Sequence, residues 1–162
     1  MKIEPLTKAD VRSAAPLTAD FRVQLNSFKG VVSEPDHAAG EEELLYYLER
    51  DFPMYAAKDG DRIVGYIVCR VDEPCVWAES LYVMPEYRRQ GVASALFEKA
   101  EQLAASFRED TVYNYIHPNN AAVIAFLKSR GYTVLNLVEV RKPYAGEELS
   151  KKIRVADAEF DY

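Results

Sequence analysis

The amino-acid sequence predicts an α/β layer fold with a central mixed β-sheet flanked by helices. Two observations carry that expectation. Strand-like alternation of apolar residues gives way along the chain to a helical period and then returns, and two of the alternating runs meet at a turn short enough to make an antiparallel hairpin. Such a hairpin cannot belong to a wholly parallel sheet, so the sheet is mixed and helices cover it.

Each element follows from local chemistry. The first six residues alternate weakly as an initial strand, and Thr7 can cap a helix beginning near Lys8, with Pro16 complicating its interior. The 28–53 stretch holds Glu34, Asp36, Glu41, Glu42, Glu43, Glu49 and Asp51 against Lys29 and Arg50, centred on the helical run GEEELLYYLER. Its plainest reading is a solvated helix face. MYAAKDG and RIVGYIVCRV then flank Asp59-Gly60-Asp61 as a hairpin, and a further strand covers Val76 to Val83, ending before Pro85.

From Gly91 to Phe107 the period becomes helical. Val92, Leu96, Leu103 and Phe107 form one apolar stripe, which Ala93, Phe97, Ala100 and Ala104 broaden. Thr111 to Ile116 resembles a buried strand, Pro118-Asn119-Asn120 opens a helix through Arg130, and Gly131 ends it. Tyr132 to Val140 is expected to return as another strand, and the alternating IRVADAEFDY near the end to extend the sheet. The 162 residues suit one domain, 1–162, with 146–162 as a C-terminal extension that adds a strand or an intersubunit contact.

Composition narrows the function classes. Hydrophobic residues make up 49% and charged residues 28%, which excludes disordered and low-complexity sequence. Twenty basic against 26 acidic residues leave a net charge of -6, a poor basis for a nucleic-acid partner, although a local basic cradle for phosphate can persist in such a chain. The start MKIEPLTKADVRSA lacks an apolar leader, and no run approaches a membrane span. Cys69 and Cys75 have no metal-ligand spacing and suit a reduced compartment, so a cytoplasmic protein is expected. His37 and His117 supply no ligand series either, and no metal is expected.

The most informative segment is ESLYVMPEYRRQGVASALFEKA, where a strand ends at a proline-bearing turn and a glycine-containing turn feeds a long helix. The first amides of that helix lack internal partners, and its dipole favours an anion. Gly91 and Ala93 limit bulk beside the amides of Gln90 to Ala93, and Arg88 or Arg89 can approach the outer phosphate oxygens. The alternative is structural: Gly91 as a turn residue, Ala93 as a packing residue and the arginines solvated.

In this segment the chain resembles the GNAT superfamily of acyl-CoA-dependent N-acyltransferases. Their defining Arg/Gln-x-x-Gly-x-Gly/Ala is here Arg88-Arg89-Gln90-Gly91-Val92-Ala93, preceded by Leu81-Tyr82-Val83-Met84-Pro85-Glu86-Tyr87. The likeness continues in Asn120-Ala121-Ala122-Val123-Ile124-Ala125-Phe126-Leu127 and Arg130-Gly131-Tyr132, and the element order matches from residue 1 to about 142. It implies that amides near Gln90, Gly91, Val92 and Ala93 hold the pyrophosphate of acetyl-CoA, that the backbone of Leu81, Tyr82 and Val83 aligns the pantetheine arm, and that Asn120 contacts that arm. It further implies a splayed wedge between the parallel strands Val76 to Val83 and Thr111 to Ile116, a feature that periodicity cannot supply.

The reaction implied is direct attack of a neutral primary amine on the acetyl carbonyl, with CoA thiolate leaving. An amide near Val83 would polarise the thioester oxygen. Glu79 is the leading general-base candidate, with a solvent-facing sheet residue as its alternative. Many relatives place a tyrosine acid at the position of Leu127, which cannot donate a proton; Tyr82, Tyr115 and Tyr132 are the substitutes by element order, each with a packing role as the alternative. The acceptor class is a small amine, an amino-acid-like metabolite or a peptide amine. Two other readings stay open: a noncatalytic acyl-CoA-binding or sensing module, and an assembly protein whose tail pairs between copies as a homodimer.

Overall fold

The computed structural model describes all 162 residues, which gather into two compact units, residues 1–115 and 116–162. In the first unit, five strands form one sheet in chain order: β1 Lys2–Pro5, β2 Met54–Asp59, β3 Arg62–Asp72, β4 Cys75–Val83 and β5 Tyr113–Asn114. The first four pair antiparallel and β4 pairs with β5 in parallel, so the sheet is mixed as expected. Helices α1 (Val11–Phe28) and α3 (Val92–Ser106) pack on it, and α2 (His37–Glu49) packs against α1.

The carboxylate of Asp10 accepts from the Thr7 amide at 2.9 Å and from the Thr7 hydroxyl at 2.8 Å, closing a tight 3-10 turn over Lys8–Asp10. The helix proper starts only at Val11, three residues later than the sequence suggests. Pro16 lies inside α1, and the helix continues past it because the buried face of Val11, Ala14, Ala15, Leu17, Thr18 and Ala19 outweighs one missing backbone bond. At the start of α2, Asp36 accepts from the Ala39 amide at 2.9 Å, so His37 is the first residue of the helix. The two helices touch at Gly40, where an added Cβ would stand 2.5 Å from the carbonyl oxygen of Ala15.

β3 is buried without interruption from Ile63 to Cys69, the pattern of a strand covered on both faces. Tyr66 joins the core beside Leu17, Leu44 and Tyr82, under α1 and α2. Its neighbour Gly65 points the other way, where an added Cβ would meet Leu96 of α3 at 3.3 Å. Of the stripe read for α3, Val92 and Leu96 are buried, with Phe97, Ala100 and Ala104 beside them, while Leu103 and Phe107 are only partly buried; full burial of a side chain such as Leu96 or Phe97 contributes about 1.5–3 kcal/mol.

The second unit contains α4 (Ala121–Ser129) and a hairpin of β6 (Lys152–Val155) with β7 (Ala158–Asp161). Two expectations are corrected here. Residues 132–140 form no strand, and Val134, Leu135, Leu137, Val138 and Val140 are exposed, since alternation alone cannot make a strand without a partner edge. The tail does not extend the five-stranded sheet either: its two halves close on each other across Ala156-Asp157, the shortest loop open to them. No helix is long and apolar enough to cross a membrane.

Candidate functional site

Two departures from regular pairing meet on β4. Across to β3, Val68 pairs with Ser80 and Cys69 with Ala78, which leaves Glu79 as the extra residue of a β-bulge. Bulges of this kind re-aim a side chain and end regular pairing. On the other edge, Trp77 pairs with Tyr113 and Ala78 with Asn114; there β5 stops, while β4 runs on to Val83. The parallel strands therefore part level with Glu79, and β5 is shorter than the Thr111 to Ile116 strand read from the sequence.

Glu79 keeps its side chain 34% exposed, with Oε2 lying 3.3 Å from Nε of Arg70. That nitrogen is buried and forms no hydrogen bond, while the other end of the guanidinium takes Asp72 at 2.9 Å. The Glu79 carboxylate is thus held by charge without being tied by a directed bond, so a water or an amine can still reach it. Arg70 also lies 5.3 Å from the centre of the Trp77 ring. Trp77 in turn carries Tyr113 at 5.0 Å and Tyr115 stacked at 4.7 Å and 12°.

At the far end of β4 the chain turns into α3 through left-handed backbone, with φ 61° at Arg89 and 83° at Gly91. No side chain caps this helix, and bonding into it resumes with the Ala95 amide, which donates to the Gly91 carbonyl at 3.0 Å. The amides of Val92 and Ala93 lack an acceptor within the helix, as in any first turn. An added Cβ at Gly91 meets nothing within 4 Å. Glycine therefore serves the positive φ, and the space beside the amides is open. Free donors, open space and the helix dipole together fit a pyrophosphate.

The two arginines behave differently. Arg88 turns inward: its Nε donates to the Val83 carbonyl at 2.8 Å, its Nη2 donates to Oε1 of Gln24 at 3.1 Å, and its guanidinium lies 5.4 Å from the Tyr82 ring centre. It braces the end of β4 against α1, and both Arg88 and Arg89 are exposed. The Gln90 side chain donates to the Glu86 carbonyl at 2.7 Å, leaving its backbone amide as the group suited to an anion. Leu81 and Val83 pair with Ile67 and Gly65 of β3.

The tyrosines also separate. Tyr82 is buried with its ring edge-on to Phe21 at 6.3 Å; burial, with the charge of Asp20, pushes its hydroxyl pKa up, and Arg88 opposes that shift. Tyr115 stands beside the strand gap and is 66% exposed. Tyr132 lies in the second unit, where its amide donates to the carbonyl of the buried Leu127 at 3.1 Å. Asn120, in the same unit, is the N-cap of α4, its Oδ1 accepting from the Val123 amide at 3.2 Å.

Sequence reasoning missed Arg70 and Trp77, which only strand register brings to Glu79. It also missed a polar cluster under the sheet. Glu43 accepts from Arg22 Nε at 2.6 Å and from the Tyr47 hydroxyl at 2.9 Å, so one residue of the acidic stretch is a structural ion-pair partner and not a solvated one. Burial, aided by Glu43, pushes the Tyr47 hydroxyl up to about 12. No three His, Cys, Asp or Glu side chains gather as a metal would need.

The profile of the GNAT acetyltransferase family matches residues 21–132. Among solved structures, an aminoglycoside antibiotic 6'-N-acetyltransferase from Acinetobacter haemolyticus is 21% identical, over 95% of this chain and 100% of that one, with a TM-score of 0.61. The PaiA N-acetyltransferase of Thermoplasma acidophilum, in complex with coenzyme A, is 20% identical over 80% and 89%, with a TM-score of 0.67. A ribosomal-protein-alanine N-acetyltransferase from Brucella melitensis biovar Abortus is 18% identical over 89% and 100%, also with a TM-score of 0.67. A comparison with curated protein sequences gave no match. At these identities the likeness to solved structures is one of fold. The family profile spans the parted strands, the Glu79 bulge and the Gly91 turn, and the chain belongs to the GNAT acetyltransferase family.

Proposed function

We propose that the protein transfers an acetyl group from acetyl-CoA to a primary amine by direct attack within a ternary complex. The acceptor is a small amine, an amino-acid-like metabolite or a peptide amine. One observation carries the reading: β4 and β5 part level with the bulged Glu79, on the strand that leads into the open N-terminus of α3.

When bound, acetyl-CoA supplies an activated thioester carbonyl. The amides of Gln90 to Ala93 hold its pyrophosphate, helped by the α3 dipole, and the unpaired edge of β4 over Leu81 to Val83 aligns the extended arm. Glu79 takes the proton of the incoming amine, directly or through one water, because only the neutral amine attacks. Arg70 fixes where that carboxylate stands. Fixing both reactants in one gap removes much of the entropic cost of their encounter. A thiol with a pKa of roughly 8.5 leaves readily near neutral pH, so the departing thiolate requires no dedicated tyrosine.

Leu127, buried at 5% exposure where relatives often carry a tyrosine, favours a second reading, a noncatalytic acyl-CoA-binding module. Mass spectrometry of a library of small amines and peptides incubated with acetyl-CoA, beside a direct CoA-binding titration, separates the two. Acetylated products support the transferase, and binding without product supports the module.

A further inference from the structure

The aromatic rings beside Glu79 have no part in the chemistry above, yet they are arranged as a surface. Trp77 and Tyr113 are paired positions on adjacent strands, and Tyr115 follows Tyr113 by two residues, so the three side chains share one sheet face. The Tyr115 ring lies nearly parallel to Trp77, 4.7 Å away, and 66% of the residue remains open to solvent. Trp77 is backed on its other strand neighbour by Arg70, whose guanidinium lies 5.3 Å from the ring centre. Tyr115 is therefore presented on a packed ring, which limits the rotamer freedom lost when something stacks on it.

The charges around this surface are unequal. Arg70 faces both Asp72 and Glu79, two carboxylates to one guanidinium, and Glu79 receives no directed bond from the buried Nε. Tyr115 and Glu79 each stand one position beyond the last paired residues, Asn114 and Ala78, and so flank the opening of the strand gap from its two sides. A flat apolar ring next to a carboxylate at the same opening is complementary to a cation attached to another flat ring.

We infer that this face is an acceptor subsite for an amine carried on an aromatic ring, an arylalkylamine, with the ring stacked on Tyr115 and the ammonium beside Glu79. The inference deepens the acetyltransferase reading and rests on it for the fate of the bound amine, but binding itself can be read without turnover. Trp77 is the single tryptophan of the chain, so its fluorescence reports on the site directly.

The test is a titration of Trp77 emission with phenethylamine and with butylamine at equal pH and ionic strength, each with and without saturating CoA. Phenethylamine should give a saturable change at a concentration several-fold below that needed for butylamine. Tyr115→Ala should weaken phenethylamine binding about 3- to 10-fold, the scale of one aromatic pair, while Tyr115→Phe should retain it; circular dichroism checks that both variants fold. Equal midpoints for the two amines, unchanged phenethylamine binding in Tyr115→Ala, or no saturable response with or without CoA would overturn the subsite. Ring-selective binding by a protein that acetylates no amine upholds the subsite and defeats the transferase reading. Acetylation without ring preference, in either binding or turnover, does the reverse.

Discussion

The guanidinium of Arg70 approaches Glu79 to 3.3 Å without donating a hydrogen bond to it. A charge is thereby held next to the bulge while the carboxylate oxygens stay available. If Glu79 takes the amine proton, Glu79→Gln keeps the shape and removes the basic oxygen. We expect kcat to fall by about 10²- to 10⁴-fold, the usual contribution of a positioned base, with CoA affinity unchanged. Steady-state kinetics at saturating amine, beside calorimetric CoA binding, checks the split; an unaltered kcat would return Glu79 to the status of a sheet residue.

Gly91 separates backbone from ligand effects. Its φ of 83° is costly for any L side chain, yet an added Cβ meets no protein atom within 4 Å. Gly91→Val should therefore fold, with a loss of about 1–3 kcal/mol from backbone strain. Its branched side chain would enter the open space beside the α3 amides, and CoA affinity should fall by at least about tenfold. Thermal melting and a CoA titration measure the two losses on the same sample, and undiminished affinity in the folded variant would remove the cradle from this turn.

The two thiols should differ in reactivity. Cys69 is fully buried within β3, and burial pushes its thiol up to about 12, whereas Cys75 opens β4 and is partly exposed. Because the thiolate is the reacting form, the native protein at pH 8 should show one fast and one slow thiol with a disulfide reagent, and two fast thiols once unfolded. Two fast thiols in the native state would contradict the burial of Cys69.

Tyr47 gives a pH dependence with a definite sign. Its hydroxyl is raised from 10.0 to about 12 in the fold, first by burial and then by Glu43. Between those values the unfolded chain loses the proton while the native state keeps it, so the Tyr47 contribution to stability is intact below pH 10 and declines as pH rises toward 12. Urea denaturation across this window should show the decline, and Tyr47→Phe should make it shallower without abolishing it, because burial also raises the hydroxyls of Tyr66 and Tyr82 and the thiol of Cys69. An equally steep slope in that variant would place the effect elsewhere.

Much of this was legible in the sequence where one element carries its own signal. The α3 stripe, the Asp59-Gly60-Asp61 hairpin and the glycine at the α3 entrance are local patterns; the hairpin and the glycine appear as read, and the stripe does so apart from the partly buried Leu103 and Phe107. What depends on register was not legible. The bulge at Glu79, the approach of Arg70 and the stacking of Tyr115 on Trp77 follow from which residues face each other across strands, and one slipped residue would undo all three. The inward turn of Arg88 onto Val83 and Gln24 was hidden for the same reason, since its partners lie on other elements. The strand anticipated over 132–140 shows the converse failure, in which a suitable alternation finds no edge to pair with.

The most direct test of the central claim is product analysis by mass spectrometry after the purified protein is incubated with acetyl-CoA and a mixed panel of aryl amines, alkyl amines and peptides. The account predicts at least one amine gaining a single acetyl group in step with release of free CoA, and loss of that product in Glu79→Gln. Saturable binding of acetyl-CoA with every amine recovered unmodified would contradict it.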